Sequence, residues 1–128
     1  MRRPFRTPGR LLVGAGAGAE VVLDLLRELP EHADVVVILR STTPGGRLLR
    51  DEVSGEVEWR GGRLVELSGS RHWVRLDAAA LGALVPDLRR RAVHVSGPDA
   101  LSRRLVAELG RAGVPERRIH VESRVVAR

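Results

Sequence analysis

The sequence predicts an α/β fold, with a five-stranded parallel sheet covered by helices on both faces. Short β-branched runs alternate with helical patterns along the chain, which is the signature of parallel strands joined by crossover helices. Val35-Val36-Val37-Ile38-Leu39 is an unbroken apolar run, as a strand covered on both faces requires. Leu11-Leu12-Val13 runs into a glycine-rich turn and from there into a helical pattern.

These two segments are the expected central strands. Between them Val21, Val22, Leu25, Leu26 and Leu29 recur at helical spacing, and Pro30 supplies the stop. A weaker helical stretch, Arg47 to Val57, contains Gly55 and leads to a third strand at Leu64-Val65-Glu66-Leu67. Asp77 is suited to cap a short helix that runs through Val85 and ends before Pro86. The fourth strand is Ala92-Val93-His94-Val95 and the fifth is Ile119-His120-Val121. The last three strands alternate partly, as strands nearer an edge do. Leu101, Leu105, Val106 and Leu109 form the stripe of the intervening helix, with Pro98 in its first turn and Gly110 or Gly113 at its end.

The 128 residues suit one domain, and 43% hydrophobic residues supply a core for it. Residues 1–10 lack periodicity and read as a basic tail or the stub of an interdomain linker, leaving 11–128 as the domain. Charged residues interrupt every apolar stretch, so membrane insertion is not expected. The basic opening is followed by no uninterrupted apolar region, which points to a cytoplasmic chain. With no cysteine there is no disulfide framework, thiolate metal site or cysteine nucleophile. The net charge of +6 comes from arginine alone, and lysine, tyrosine, asparagine and glutamine are absent, the narrow usage of GC-rich coding. The arginines are spread along the chain and only two Trp and one Phe are present for stacking, which disfavours nucleic acid as a partner. Trp59 and Trp73 are expected as partial core or surface cover.

Chemistry concentrates where strands become helices. Gly14, Gly16 and Ala19 satisfy a G-x-G-x-x-G/A pattern between strand and helix, with Gly18 inside it. Small residues there let main-chain N–H groups approach a pyrophosphate, and the helix start adds partial positive charge. The competing role is close helix-to-sheet packing without a ligand. A Rossmann-like site for NAD would place an acidic residue after the second strand; Arg40 and Ser41 stand there instead, a pair able to meet ribose or a 2′-phosphate. Ser68 and Arg71 follow the third strand with phosphate-binding chemistry, and Ser96-Gly97-Pro98 brings a second tight turn to the same sheet edge. Ser96 lacks an activating triad, since His94, His120 and Glu122 lie on strands. Those two histidines and Glu122 also lack the spacing of a metal site, so no metal is expected.

In order, these segments resemble the carboxyl-terminal NAD(P)-binding domain of the ferredoxin–NADP reductase superfamily, in its ferric-reductase-like and oxygenase-reductase branch. The resemblance covers Leu11 to Glu122. It is carried by Leu11-Leu12-Val13 before the glycine loop, Leu25-Leu26-Arg27-Glu28-Leu29 after it, Arg40-Ser41-Thr42-Thr43-Pro44 with Leu48-Leu49-Arg50-Asp51-Glu52, Ser96-Gly97-Pro98, and Ala112-Gly113-Val114-Pro115 leading to Ile119-His120-Val121-Glu122. It implies a module that holds NADPH or NADH against FAD or FMN carried by a separate domain or flavoprotein partner. Gly16 and Gly18 match the pyrophosphate loop, and Gly97 and Pro98 match the turn near the nicotinamide. The resemblance makes Ser96 and Glu122 the candidate catalytic residues.

Three positions depart from the family pattern. Ser96 stands where cysteine is common, Arg124 where an aromatic residue covers the flavin, and Glu20-Val21 where the loop ends in threonine and proline. A carboxylate gains about 0.3–1 kcal/mol at a helix start. About 5 Å from a phosphate it loses roughly 3 kcal/mol at an effective dielectric of 20. Glu20 therefore opposes dinucleotide binding unless it turns outward or pairs with arginine. The departures support an alternative, a degenerate Rossmann-like binding or interaction protein without catalysis.

Overall fold

The computed structural model describes residues 9–40, 46–67 and 76–122. Within them run β1 (Arg10–Ala15), α1 (Gly18–Glu28), β2 (Val35–Arg40), α2 (Gly46–Trp59), β3 (Arg63–Leu67), α3 (Ala78–Leu84), β4 (Ala92–Ser96), α4 (Asp99–Arg111) and β5 (Ile119–Val121). The strands form one parallel sheet in the order β3-β2-β1-β4-β5. The expected α/β class and strand count are both present.

Differences from expectation are local. β1 starts at Arg10, whose N–H donates to the Asp34 carbonyl at 2.8 Å. β4 lies between β1 and the edge strand β5, near the edge as its alternation suggests. The alternation comes from His94, which pairs in register with the exposed His120 and stacks on its ring. Gly110 lies inside α4, and the helix ends instead at Gly113 with φ 99°. There Val114 N–H donates to Leu109 and Gly113 N–H to Gly110, the paired bonds of a Schellman stop. Asp77 caps α3 as expected, accepting from Ala80 N–H at 2.9 Å. Trp59 is surface cover, 58% exposed, with the Arg60 guanidinium 5.1 Å from its ring centre. Trp73 lies outside the described residues.

Two cores flank the sheet. Leu12, Val35, Val37 and Leu39 meet Val22, Leu23 and Leu26 of α1 and Val53 and Val57 of α2. On the opposite face Leu11, Val13, Ile38, Val93 and Val95 meet Leu81 of α3 and Leu105 and Leu109 of α4. Each fully buried Leu or Val contributes roughly 1.5–3 kcal/mol. β1 and β2 feed both cores, which explains their continuous apolar character.

Buried guanidinium groups tie the sheet's amino-terminal edge together. Arg91 donates from Nε to Asp87 at 2.8 Å and from Nη1 to the Arg10 carbonyl at 3.1 Å, and Nη2 pairs with Asp34 at 3.0 Å. Arg60 at the end of α2 donates twice to the Leu29 carbonyl, at 3.2 and 3.0 Å, and so closes α1. The hydrogen bond from Arg91 holds the Asp87 carboxyl below its ordinary value, with burial opposing. The bond from Arg60 does the same to Glu56.

At the opposite edge α1 presses on the end of β4. A Cβ on Gly18 would lie 2.1 Å from the Ser96 carbonyl oxygen and 2.5 Å from its carbon, and neither backbone atom can yield. Gly16 has φ 58° and open space around it. Gly18→Ala should therefore destabilise the chain by about 2 kcal/mol or more in urea unfolding, and Gly16→Ala by about 1 kcal/mol through backbone conformation alone. Equal losses would show that α1 can lift off β4 at little cost. The depressed Asp87 stabilises the fold fully above about pH 4 and loses that contribution as pH falls through its folded value. Asp87→Asn should accordingly lower stability at neutral pH, with the difference from the parent chain shrinking in acid unfolding measurements.

Candidate functional site

The crossovers on either side of β1 leave opposite faces of the sheet. α1 carries the chain from β1 toward β2 over one face, and α4 carries it from β4 toward β5 over the other. The carboxyl ends of β1 and β4 thus diverge into two turns with a crevice between them, the position where open α/β sheets bind ligands. A hollow of about 290 Å³ occupies it, bordered by Ala15, Ala17, Gly18 and Val21 on one side and by Ser96, Gly97, Pro98 and Asp99 on the other. Val121 and Glu122 close its β5 end.

The two turns that border this hollow are built mostly of small residues. α1 starts at Gly18 behind Ala17 and α4 at Asp99 behind Pro98, both without a side-chain cap. Ala19 N–H donates to Gly16 and Glu20 N–H to Ala17, so the turn is closed by its own backbone. Ser102, buried in α4, donates from Oγ to the Gly97 carbonyl at 3.3 Å and steadies the second turn.

Of the residues singled out in the sequence, Gly18, Ser96, Gly97, Pro98 and Glu122 border the hollow together. Gly14 does not: the place of its Cβ is taken by Val22, 2.6 Å away, so its small size serves the packing of α1 on β1. Gly16 shapes the turn. Arg40 ends β2 opposite Ala15 in the register and does not border the hollow. Ser41, Ser68, Arg71 and Arg124 lie outside the described residues. Glu20 is exposed and does not border the hollow, which meets the condition under which its charge ceases to oppose an anionic ligand.

Ser96 is buried, and His94 engages partners other than this serine. Its Nδ1 is 2.8 Å from Glu122 Oε2, its Nε2 is 3.3 Å from Arg10 Nη1, and its ring stacks on His120 with centres 4.9 Å apart. The arrangement is a positioned carboxylate rather than a nucleophile with its base. Among the described residues no group of three His, Asp or Glu side chains is placed to hold a metal ion, and no helix is long and apolar enough to cross a membrane.

Sequence reasoning missed Asp99 and Val121. Asp99 had a signal, an acidic residue directly after a helix-starting proline. Val121, 53% exposed, reaches the hollow only because β5 pairs beside β4.

No protein-family model matches the chain, and no curated protein matches it. Among solved structures it is similar to the ferredoxin reductase of carbazole 1,9a-dioxygenase in its FAD apo form, with 21% identity and a TM-score of 0.65. It covers 94% of this chain and 36% of that one. The flavohem-like FAD/NAD-binding domain of nitric oxide dioxygenase from Vibrio cholerae gives 16% identity and a TM-score of 0.64, over 94% of this chain and 52% of that one. An Amycolatopsis cytochrome P450 reductase gives 21% and 0.60, over 89% and 37%. The chain spans about a third to a half of the length of these proteins. The likeness is one of fold: the chain has the fold of part of these ferredoxin-reductase-type proteins.

Proposed function

We propose that the chain is the NAD(P)-binding module of a flavin-dependent oxidoreductase, passing electrons from NADPH or NADH to FAD or FMN on a separate domain or flavoprotein partner. The observation that carries this reading is the hollow between the β1 and β4 turns, at the reversal of strand order, bordered by two helix starts without side-chain caps. The reductase-type relatives support the flavin side of the proposal.

The residues present fit a dinucleotide. Ala17 and Gly18 supply N–H groups at an uncapped helix start, the chemistry a pyrophosphate requires. Gly97 and Pro98 would border the nicotinamide half, with Ser96 and Glu122 as hydrogen-bonding groups that orient it. Arg40 would meet the adenosine half. A bound nicotinamide supplies a hydride for transfer to a flavin, and the protein's share is orientation.

A second reading, a binding or interaction protein without redox function, is favoured by one observation. Asp99 and Glu122 both border the hollow, and no arginine does so among the described residues.

Calorimetric titration with NADPH and NADH separates the two. Binding below about 1 mM, weakened at least roughly tenfold by Ala17→Glu, is expected of the module, since a carboxylate about 5 Å from a phosphate costs roughly 3 kcal/mol. Asp99→Asn should strengthen binding roughly threefold or more by removing repulsion of the same origin. An absence of heat at millimolar coenzyme for the parent chain and Asp99→Asn alike would leave only the second reading.

A further inference from the structure

Between β1, β4 and the last residue of the hollow runs a line of polar contacts that dinucleotide binding does not by itself explain. Arg10 stands at the start of β1, and its Nη1 lies 3.3 Å from His94 Nε2. His94 Nδ1 lies 2.8 Å from Glu122 Oε2. Glu122 is also tied by its main chain, donating to the Val95 carbonyl at 2.8 Å. The side chains of His94 and Glu122 are only 12% and 22% exposed.

Donor and acceptor roles along this line have one consistent solution. A guanidinium has only N–H groups and accepts nothing, so His94 Nε2 must present its lone pair to Arg10. The ring proton then sits on Nδ1 and donates to Glu122 Oε2. His120 stacks on the same ring with an interplanar angle of 22°, which restricts its rotation.

We infer that His94, locked by Arg10 as its Nδ1–H tautomer, is a positioning residue that engages one oxygen of Glu122 and fixes this carboxylate at the β5 end of the hollow. This inference rests on the dinucleotide reading for its effect on binding, but not for the tautomer. His94 touches no ligand itself, for it does not border the hollow. Its influence passes through Glu122. Without the bond from Nδ1, the carboxylate would lose its one side-chain tether among the contacts described and would spend part of its time turned away.

Two measurements on the whole chain test this. Long-range proton–nitrogen spectra of the histidine rings at neutral pH should show His94 with a protonated Nδ1 and a bare Nε2, and the double variant R10M/E122A should move it toward the Nε2–H form. A bare Nδ1 in the parent chain would overturn the inference. In NADPH titrations His94→Leu should weaken binding about fivefold or more, while His94→Asn, whose amide nitrogen can take the place of Nδ1–H, should recover to within about twofold of the parent. Equal binding by the parent and His94→Leu would remove the positioning role. If the parent binds no dinucleotide, the functional reading fails separately, and the ring spectrum alone decides whether Arg10 sets the tautomer.

Discussion

The contact on which the rest of the architecture turns is main chain against main chain, where the first turn of α1 at Gly18 meets the Ser96 carbonyl at the end of β4. It brings α1 over β4 as well as β1, and so joins the two strands that diverge at the reversal of strand order. The hollow exists because both turns are held at this spacing. Glycine at 18 therefore has a packing reason that is complete without a ligand. Gly18 also borders the hollow, whereas Gly14 does not and has Val22 and the Gly18 main chain in the place of its Cβ.

The two edges of the sheet are built differently. At the amino-terminal edge, Arg91 joins the start of β1, Asp34 before β2 and Asp87 before β4 through charge-assisted hydrogen bonds to a buried guanidinium. Arg60 performs the corresponding task for the end of α1. Removing a carboxylate partner is costly, because the guanidinium is left buried with its charge. The carboxyl-terminal edge has turns of small residues and helix starts without side-chain caps. Stability is concentrated at one end and chemical access at the other, the usual division in open α/β sheets.

The electrostatics of the hollow are mixed. Two helix starts favour an anion, while Asp99 and Glu122 oppose one locally. Glu122 differs from Asp99 in having one oxygen engaged by His94, so it presents a directed acceptor rather than a freely solvated charge. Glu20 satisfies its helix dipole from the exposed side and stays clear of the hollow.

Local pattern alone determined the α/β class, the strands, the Asp77 cap and the location of the two glycine turns, because each is written in neighbouring residues: apolar runs, helical spacing and a capping side chain. The partial alternation of β4 fits its place beside the edge strand β5. His94 shares a crevice with Arg10, Leu25, Glu28 and Leu29, so an interior strand carries a polar residue. Which glycines are free for a ligand and which are filled could not be read locally, because Val22 and Ser96 reach Gly14 and Gly18 only after α1 docks. The union of Glu122 with His94 and Arg10 was likewise decided by tertiary structure: parallel pairing sets β4 beside both β1 and β5, and three residues distant in the chain become one hydrogen-bonded line.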